Sequence, residues 1–453
     1  MTTRSLDPAI ATGDKFDVVV IGGGASGLAA ARAAVRSGAD VCVLERDVEV
    51  GLSILATGNG RCNLSNARLD PARYRHPEAA RAVMGDEPEA ELERFFGSLG
   101  IMTVSEDGRL YPRSKRAESV RDALRFAPEF DNATIQTSAD VTGAEFDPAS
   151  GTWSLTVSVP RKNLTAHLKK PAKSRLRALR REAESAPRET VAIRARRVVV
   201  ACGGASSDVA DMFGIEYVPE RPVLCPVACA LELPHRSEKE DRCEAAEDSD
   251  VLLDLLDGIR VEGELGLSRD GKRVWSERGE VLFRTYGLSG IAAFDLSRRA
   301  EPGDAICLDL FCDYGPDELE RVFGERERAI GLLSCEGLRW FHGMLAPAVA
   351  RLVLATAGGV CDPRVVAQAA KRVPFRFIGT TEERSAQVRR GGIPFFAVEL
   401  PGLSVRPCAA SGRRGVFACG EALDMDADCG GFNLAWAWLS GIRAGTAAAA
   451  DTR

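Results

Sequence analysis

The apolar positions of this chain first gather into a short solid run, Phe16 to Ile21, which breaks at Gly22-Gly23-Gly24-Ala25-Ser26-Gly27. A run of this length with no polar alternation predicts a strand buried on both faces, as in a parallel sheet. The Ala-rich stretch from Leu28 to Ser37 predicts a helix, Gly38 stops it, and Val41 to Leu44 predicts a second buried strand that ends at Glu45 and Arg46. Strand, glycine turn and helix in immediate succession make a diphosphate cradle. Gly22 permits the turn, Gly24 keeps side-chain atoms away from a pyrophosphate, and Gly27 lets helix pack on strand. Ala25 and Ser26 begin the helix, whose unpaired N–H groups and positive dipole end favour phosphate. Glu45, with Arg46 beside it, stands where an acid can accept from both hydroxyls of an adenosine ribose.

The pattern then loosens into Thr57-Gly58-Asn59-Gly60-Arg61-Cys62-Asn63, a Gly- and Asn-rich loop whose cation can meet a phosphate or an isoalloxazine carbonyl. Residues 86–127 predict two helices around a turn at Glu106-Asp107-Gly108-Arg109, the second starting near Tyr111-Pro112. Residues 135–146 and 153–159 predict short strands. Between Pro160 and Glu189 the composition shifts to Lys, Arg, Ala and Glu, including Lys169-Lys170 and the run from Arg175 to Arg181. This reads as a solvated, partly helical insertion at a strand-to-strand turn, with a docking site for an acidic partner or nucleic acid as the alternative. Strand character resumes over 190–201 and ends in Cys202-Gly203-Gly204, where paired glycines let backbone pass close to a cofactor.

From Ser206 to about Arg372 shorter alternating segments predict strands over 223–231, 279–283 and 305–311, and helices over 316–330 and 338–354. Dinucleotide-domain character then returns. A strand over 415–421 ends at Gly420-Glu421, and Gly430-Gly431 opens an Ala-rich helix from Phe432 and Asn433, whose positive end suits the flavin pyrimidine. The expected fold is α/β: a Rossmann-like FAD-binding domain with a central parallel sheet (1–206 and 373–453), interrupted by a mixed α+β insert domain (207–372).

Bulk properties narrow the function. The chain has 453 residues, a formal net charge of −6 and four histidines without metal-ligand spacing, and its pI is near 5.6. A surface of this sign disfavours a general nucleic-acid coat, and no metal site is expected. No apolar run approaches the roughly 18 residues of a membrane span, so the expected location is the cytoplasm. The thirteen cysteines are scattered without a CxxC pair and read as reduced, buried thiols. Cys225 and Cys229 offer a redox pair as the alternative.

Taken together, the segments resemble the BaiN/RdsA-type (YhiN-like) NAD(P)/FAD-dependent oxidoreductases, whose FAD domain is of the glutathione-reductase type. The resemblance runs from residue 16 to 445 and rests on Gly22 to Gly27, the run from Thr57 to Asn63, Gly108-Arg109-Leu110-Tyr111-Pro112, Ala201-Cys202-Gly203-Gly204, Tyr286-Gly287-Leu288-Ser289-Gly290, and Gly420-Glu421-Ala422-Leu423-Asp424 with Gly430-Gly431-Phe432-Asn433-Leu434. It implies that Glu45 holds the adenosine ribose, Gly22 to Gly27 the pyrophosphate and Val141 the adenine through its backbone. It places Arg61, Cys62, Asn63, Glu421, Gly431, Phe432 and Asn433 around the ribityl chain and flavin. Departures are also visible. Phe283-Arg284-Thr285-Tyr286-Gly287 lacks the histidine common at that motif, Ser53 replaces a common basic residue, the loop after Gly204 is short, and the basic segment is this chain's own addition. The implied activity is reduction of an activated alkene or carbonyl in a hydrophobic small molecule, steroid-like enones included, with NAD(P)H as a transiently docked donor. An O2-using amine or aminoketone oxidase, and a flavoprotein acting on nucleic acid or as a redox-responsive binding module, are the other readings. No pattern singles out an acid or base, and none sets the oligomeric state.

Overall fold

A computed structural model describes residues 10–161, 172–204, 206–234, 249–381, 386–407 and 413–452. The chain divides into two compact units, residues 1–221 with 388–453, and residues 222–387.

The first unit opens with β1 (Lys15–Ile21), α1 (Ala25–Arg36), β2 (Val41–Leu44) and β3 (Ser65–Asn66), followed by α2 (Pro77–Met84), α3 (Pro88–Ser98), β4 (Thr103–Glu106), β5 (Arg109–Pro112) and α4 (Ala117–Arg125). It continues through β6 (Thr134–Gln136), β7 (Asp140–Asp147), β8 (Thr152–Pro160), α5 (Ala172–Ser185), β9 (Arg188–Val200), α6 (Ser207–Phe213) and β10 (Val218–Val223). After the second unit it resumes with β17 (Val388–Gly392), β18 (Val398–Glu399), β19 (Ser404–Val405), β20 (Val416–Ala418) and α13 (Phe432–Ala450), numbered so that β11–β16 and α7–α12 fall in the second unit. The main sheet runs β18-β19-β20-β9-β1-β2-β6. Pairing is parallel between β20 and β9, β9 and β1, β1 and β2, and β2 and β6. All of Val18 to Val20, Val41 to Val43 and Val198 to Val200 are fully buried, which explains why these strands read as solid apolar runs. The long β9 also carries an antiparallel arm, pairing with β8 from Arg188 to Ala195.

Helices α1 and α13 cross almost backbone to backbone. A Cβ on Gly441 would lie 2.4 Å from the Ser26 carbonyl, and one on Gly445 would lie 2.0 Å from that of Ala30. The two glycines, four residues apart, share one helix face, so no other residue type permits this approach. The crossing ties the chain's last helix to its first.

The second unit contains β11 (Val227–Leu231), α7 (Ser249–Leu256), β12 (Arg260–Arg269), β13 (Lys272–Arg284), β14 (Gly287–Ser289), α8 (Ile291–Ser297), β15 (Ala305–Asp309), α9 (Pro316–Ile330), α10 (Leu333–Glu336), α11 (Pro347–Thr356), α12 (Pro363–Ala370) and β16 (Val373–Thr380). Its six strands close into a barrel, β11-β14-β13-β12-β15-β16, around Leu265, Val281, Phe283 and Phe375, all fully buried. Cys225 and Cys229 are free, buried thiols. Burial pushes the Cys229 thiol up to about 12, which disfavours the thiolate that a redox pair needs.

Three expectations need correction. The turn at 106–109 joins two strands, not two helices. Asp107 and Gly108 both take positive φ, 48° and 75°, the geometry of a two-residue Asp-Gly hairpin turn. The helix expected over 338–354 is broken into a 3₁₀ turn, Gly337–Phe341, and α11, because Pro347 lacks the N–H that a continuous helix needs and instead opens a new one. The unit boundaries also move, from 206 and 372 to 221 and 387. Phe213 and Ile215 join the first core and Val373, Phe375 and Phe377 the second, so burial and not composition sets the limits. Of the basic segment, residues 162–171 lie outside the described residues.

Candidate functional site

The parallel strands β20, β9, β1 and β2 are neighbours, and the turns at Gly22 to Gly27, Glu45, Cys202 to Gly204 and Gly420-Glu421 leave their carboxyl ends. Ligands of open α/β sheets bind outside those ends. From β1 comes Gly22 (φ 108°), whose N–H donates to the Leu44 carbonyl at 2.8 Å. A Cβ on Gly27 would lie 1.9 Å from the Gly22 carbonyl, so Gly27 seats α1 on the turn. Gly24 differs: only the Ser53 hydroxyl, at 3.1 Å, lies near its missing Cβ. No backbone atom closes that position and Ser53 need give only by a few tenths of an ångström, and α1 has no side-chain cap over Ala25 and Ser26. An uncapped helix start beside an open glycine fits a pyrophosphate.

At the end of β2, the Glu45 carboxylate accepts from the Gly23 N–H (2.7 Å) and from the Asp47 N–H (2.7 Å). Burial raises its pKa even so. Arg46 is exposed. Val141 is buried in β7 opposite Val157. The loop then returns to the cradle, Gly51 donating to the Gly23 carbonyl at 2.7 Å. Ser138, 2% exposed, donates its N–H to the Asp47 carbonyl, while its hydroxyl has no partner among the described residues. A buried hydroxyl without a partner is costly, and the adenosine half of a dinucleotide is the natural group to satisfy it. With the opening at Gly24, this orphan hydroxyl makes the residues present fit FAD. Its φ of 51° is set by tertiary packing, and nothing in the sequence marks it.

On the other side of β1, Cys202 and the short Gly203-Gly204 turn follow β9. Burial pushes the Cys202 thiol up to about 12. Nothing lies within 4 Å of a Cβ at Gly203, whereas Gly204 packs on the Arg389 side chain. Gly420 donates its N–H to the Ser440 hydroxyl (2.9 Å) and accepts from the Trp436 indole (3.0 Å), so α13 fixes the end of β20.

The loop at 57–63 builds a wall. The Thr57 hydroxyl donates to the Ile54 carbonyl at 2.6 Å, and a Cβ at Gly60 would meet nothing within 4 Å. Buried Cys62 takes a positive φ of 56°, its thiol raised by burial to about 11. Arg61 pairs with Glu106 and stacks over Tyr111, its guanidinium carbon 4.2 Å from the ring centre. That guanidinium is therefore engaged by protein groups. With its amide oxygen toward α13, Asn63 accepts from the Gly431 N–H (3.0 Å) and donates to the Ser65 carbonyl (2.9 Å). A Cβ at Gly431 would strike that same Ser65 carbonyl at 2.3 Å. Gly430 accepts through its carbonyl from Asn66 at 3.0 Å. Asn433 is turned to the preceding loop, exchanging hydrogen bonds of 2.9 Å each way with Ala427, and Phe432 is buried, its carbonyl accepting from Tyr74 at 3.0 Å. Sequence reasoning missed what holds this loop: Asp424, Asp426 and Asp428, all buried. Asp424 faces Arg75 and His76, Asp428 faces Arg73, and Asp426 receives both arms of Arg390 at 2.9 Å. Acids at alternate positions were the available signal.

Glu421 is half-buried beside them. Burial, chiefly, pushes its carboxyl up to about 7; Glu220 and Asp426 add to the rise, while the Arg389 N–H, donating at 2.5 Å, and the Arg389 charge oppose it. A carboxyl raised from 4.5 in this way stabilises the ligand-free fold below pH 4.5 and loses that contribution as pH rises toward 7. Its loss amounts to roughly 2–3 kcal/mol. Asp424 acts in the opposite sense and at lower pH: burial raises it, but the His76 hydrogen bond and the Arg75 charge hold it below the usual carboxylate range. Urea titrations of the cofactor-free protein at pH 5 and pH 7 should show the loss in wild type and not in Glu421→Gln.

Among the described residues no helix is long and apolar enough to cross a membrane. The chain is 30% identical over 451 residues to the 3-dehydro-bile acid delta(4,6)-reductase of Clostridium scindens, spanning 95% of this chain and 98% of that protein. It is 23% identical over 448 residues to the ribosomal RNA dihydrouridine synthase of Escherichia coli, spanning 94% and 96%. With the Haemophilus influenzae protein of the same name it shares 23% over 447 residues, spanning 93% and 96%. The family model described as the HI0933-like protein Rossmann domain matches residues 16–447, from β1 to the last turns of α13, and the chain belongs to that family.

Proposed function

We propose that this FAD-dependent oxidoreductase reduces a carbon–carbon double bond conjugated to a carbonyl in a hydrophobic small molecule, with NAD(P)H as donor. The observation that carries the proposal is the opening at Gly24, set among turns from four adjacent strand ends, in a chain 30% identical along its length to a bile-acid reductase. The two relatives' names share one chemistry, since making dihydrouridine also saturates a double bond conjugated to a carbonyl. A small molecule is favoured over RNA because the chain is net acidic and two arginines of its basic segment face acids of the chain's own fold, Arg175 facing Glu49 and Arg180 facing Asp47.

When bound, FAD supplies two-electron hydride chemistry. The chain's residues do the rest. Gly22 to Gly27 and the start of α1 hold the pyrophosphate, Glu45 the ribose, and Val141 with Ser138 the adenine end. Thr57, Gly60, Cys62, Asn63, Gly203, Gly204 and Glu421 line the ribityl and flavin portion, while Arg61 and Asn433 hold the wall and loop in place. The start of α13 at Gly430, Gly431 and Phe432 favours negative charge on the flavin pyrimidine. NAD(P)H docks transiently, because the sequence has no second dinucleotide fingerprint.

The test is anaerobic. Purified protein should release FAD on denaturation, be bleached by NADH or NADPH, and regain its colour when given a steroid-like 3-oxo enone. Recovery only with air, or only with uridine-containing ribosomal RNA, would overturn the small-molecule reductase reading.

A further inference from the structure

The basic segment 160–189 has no role in that function, yet the structure seats its helix on the loop that follows Glu45. Leu179, 2% exposed, and Ala183 pack on Val48 to form a small hydrophobic cluster separate from the two main cores. Arg180 grips Asp47 with both arms, Nε to Oδ1 at 3.0 Å and the terminal nitrogen to Oδ2 at 2.5 Å. Arg175 reaches Glu49 at 3.9 Å, where Arg121 and Arg125 of α4 also point. The gripped loop is short and Asp47 ties it together. Asp47 donates its N–H to the Glu45 carboxylate and accepts at its carbonyl from Ser138. A side chain that fixes Asp47 therefore fixes both the ribose-facing acid and the backbone next to the orphan hydroxyl.

We propose that α5 is a clamp that retains FAD: Arg180, through Asp47, is a positioning residue for Glu45, and Leu179 anchors the clamp on Val48. The inference rests on the FAD reading above. The docked helix thereby lowers the cost of ordering the adenosine pocket before the cofactor arrives. Two of the helix's four arginines, Arg175 and Arg180, face acids of the same chain, which is why a free basic face for nucleic acid is the weaker interpretation of the same segment.

The experiment measures the FAD dissociation constant of the full chain by fluorescence during reconstitution of the cofactor-free protein, with circular dichroism as the control for folding. An exposed bidentate ion pair has modest strength, so Arg180→Met should weaken FAD about two- to fivefold, and Arg180→Lys, with one arm, less. Leu179→Asp, which undocks the helix, should weaken it about tenfold. Two readouts separate positioning from mere support of the fold. In a Glu45→Gln background, Arg180→Met should add less than about twofold, because the two act on one contact. With FAD carrying a 2′-deoxyadenosine, the Arg180→Met penalty should shrink, whereas a general loss of stability would leave it unchanged. Equal FAD affinity in wild type, Arg180→Met and Leu179→Asp would overturn the clamp while leaving the FAD reading intact. A wild-type protein that binds no FAD would overturn that reading, and the clamp with it.

Discussion

Gly24→Val should give a folded, colourless protein. The backbone at Gly24 has φ −79° and ψ −162°, a conformation open to any residue, and only the Ser53 hydroxyl lies close to the new side chain. The substitution therefore asks of the fold only a small shift of Ser53 and adds volume where the proposed function puts the cofactor's phosphates. An overlap of this kind costs about 2–3 kcal/mol, or roughly a hundredfold in affinity, enough to strip the flavin during purification. Gly27→Val is the contrast. There a Cβ collides with the Gly22 carbonyl at 1.9 Å, so the fold itself should fail and soluble yield should fall. Visible absorbance and circular dichroism of the two variants separate the roles of two glycines three residues apart. Full flavin occupancy in Gly24→Val would place the pyrophosphate elsewhere.

Removal of one partner of the Arg390 and Asp426 pair should have a large effect on stability. Asp426 is 0% exposed and receives two hydrogen bonds of 2.9 Å from Arg390. Arg390→Met leaves a carboxylate in the interior without its main cation, a change that costs about 3–5 kcal/mol. For a unit of this size, roughly 10 °C of melting temperature follows. The loop from Asp424 to Asp428 precedes the Gly430 turn, so FAD affinity should fall as well, while the barrel unit keeps its own transition. Adding Asp426→Leu to Arg390→Met should recover part of the stability, since no buried charge then remains. A calorimetric scan of the single and double variants decides this, and a melting point unmoved in Arg390→Met would show that Asp426 draws its stability from its other neighbours.

The parallel strands and the cradle were legible because burial on both faces forbids polar residues and a pyrophosphate forbids side chains; both leave gaps in composition that a reader of the chain can see. Helix α9 was legible end to end for the same kind of reason, with Pro316 opening it and an apolar stripe at helical spacing. The hairpin at Asp107-Gly108 and the break at Pro347 carried local signals too, and were misread only because helical periodicity on either side outweighed a two-residue cue. Barrel closure was not legible, since it depends on pairing β11 with β14 and β16, which lie far apart along the chain.

What the sequence by itself determined was the family, the parallel α/β core and the glycines at which a dinucleotide can approach, because each follows from the chemistry of a residue and its immediate neighbours. Only the tertiary structure decided which polar groups are already occupied. It turned Arg61 to Glu106 and Asn433 to Ala427, left the Ser138 hydroxyl without a partner among the described residues and laid an apparently solvated basic helix on Asp47. Hydrogen bonds and ion pairs of this kind join residues up to hundreds of positions apart, and their worth depends on burial and direction, quantities that exist only once the chain has folded.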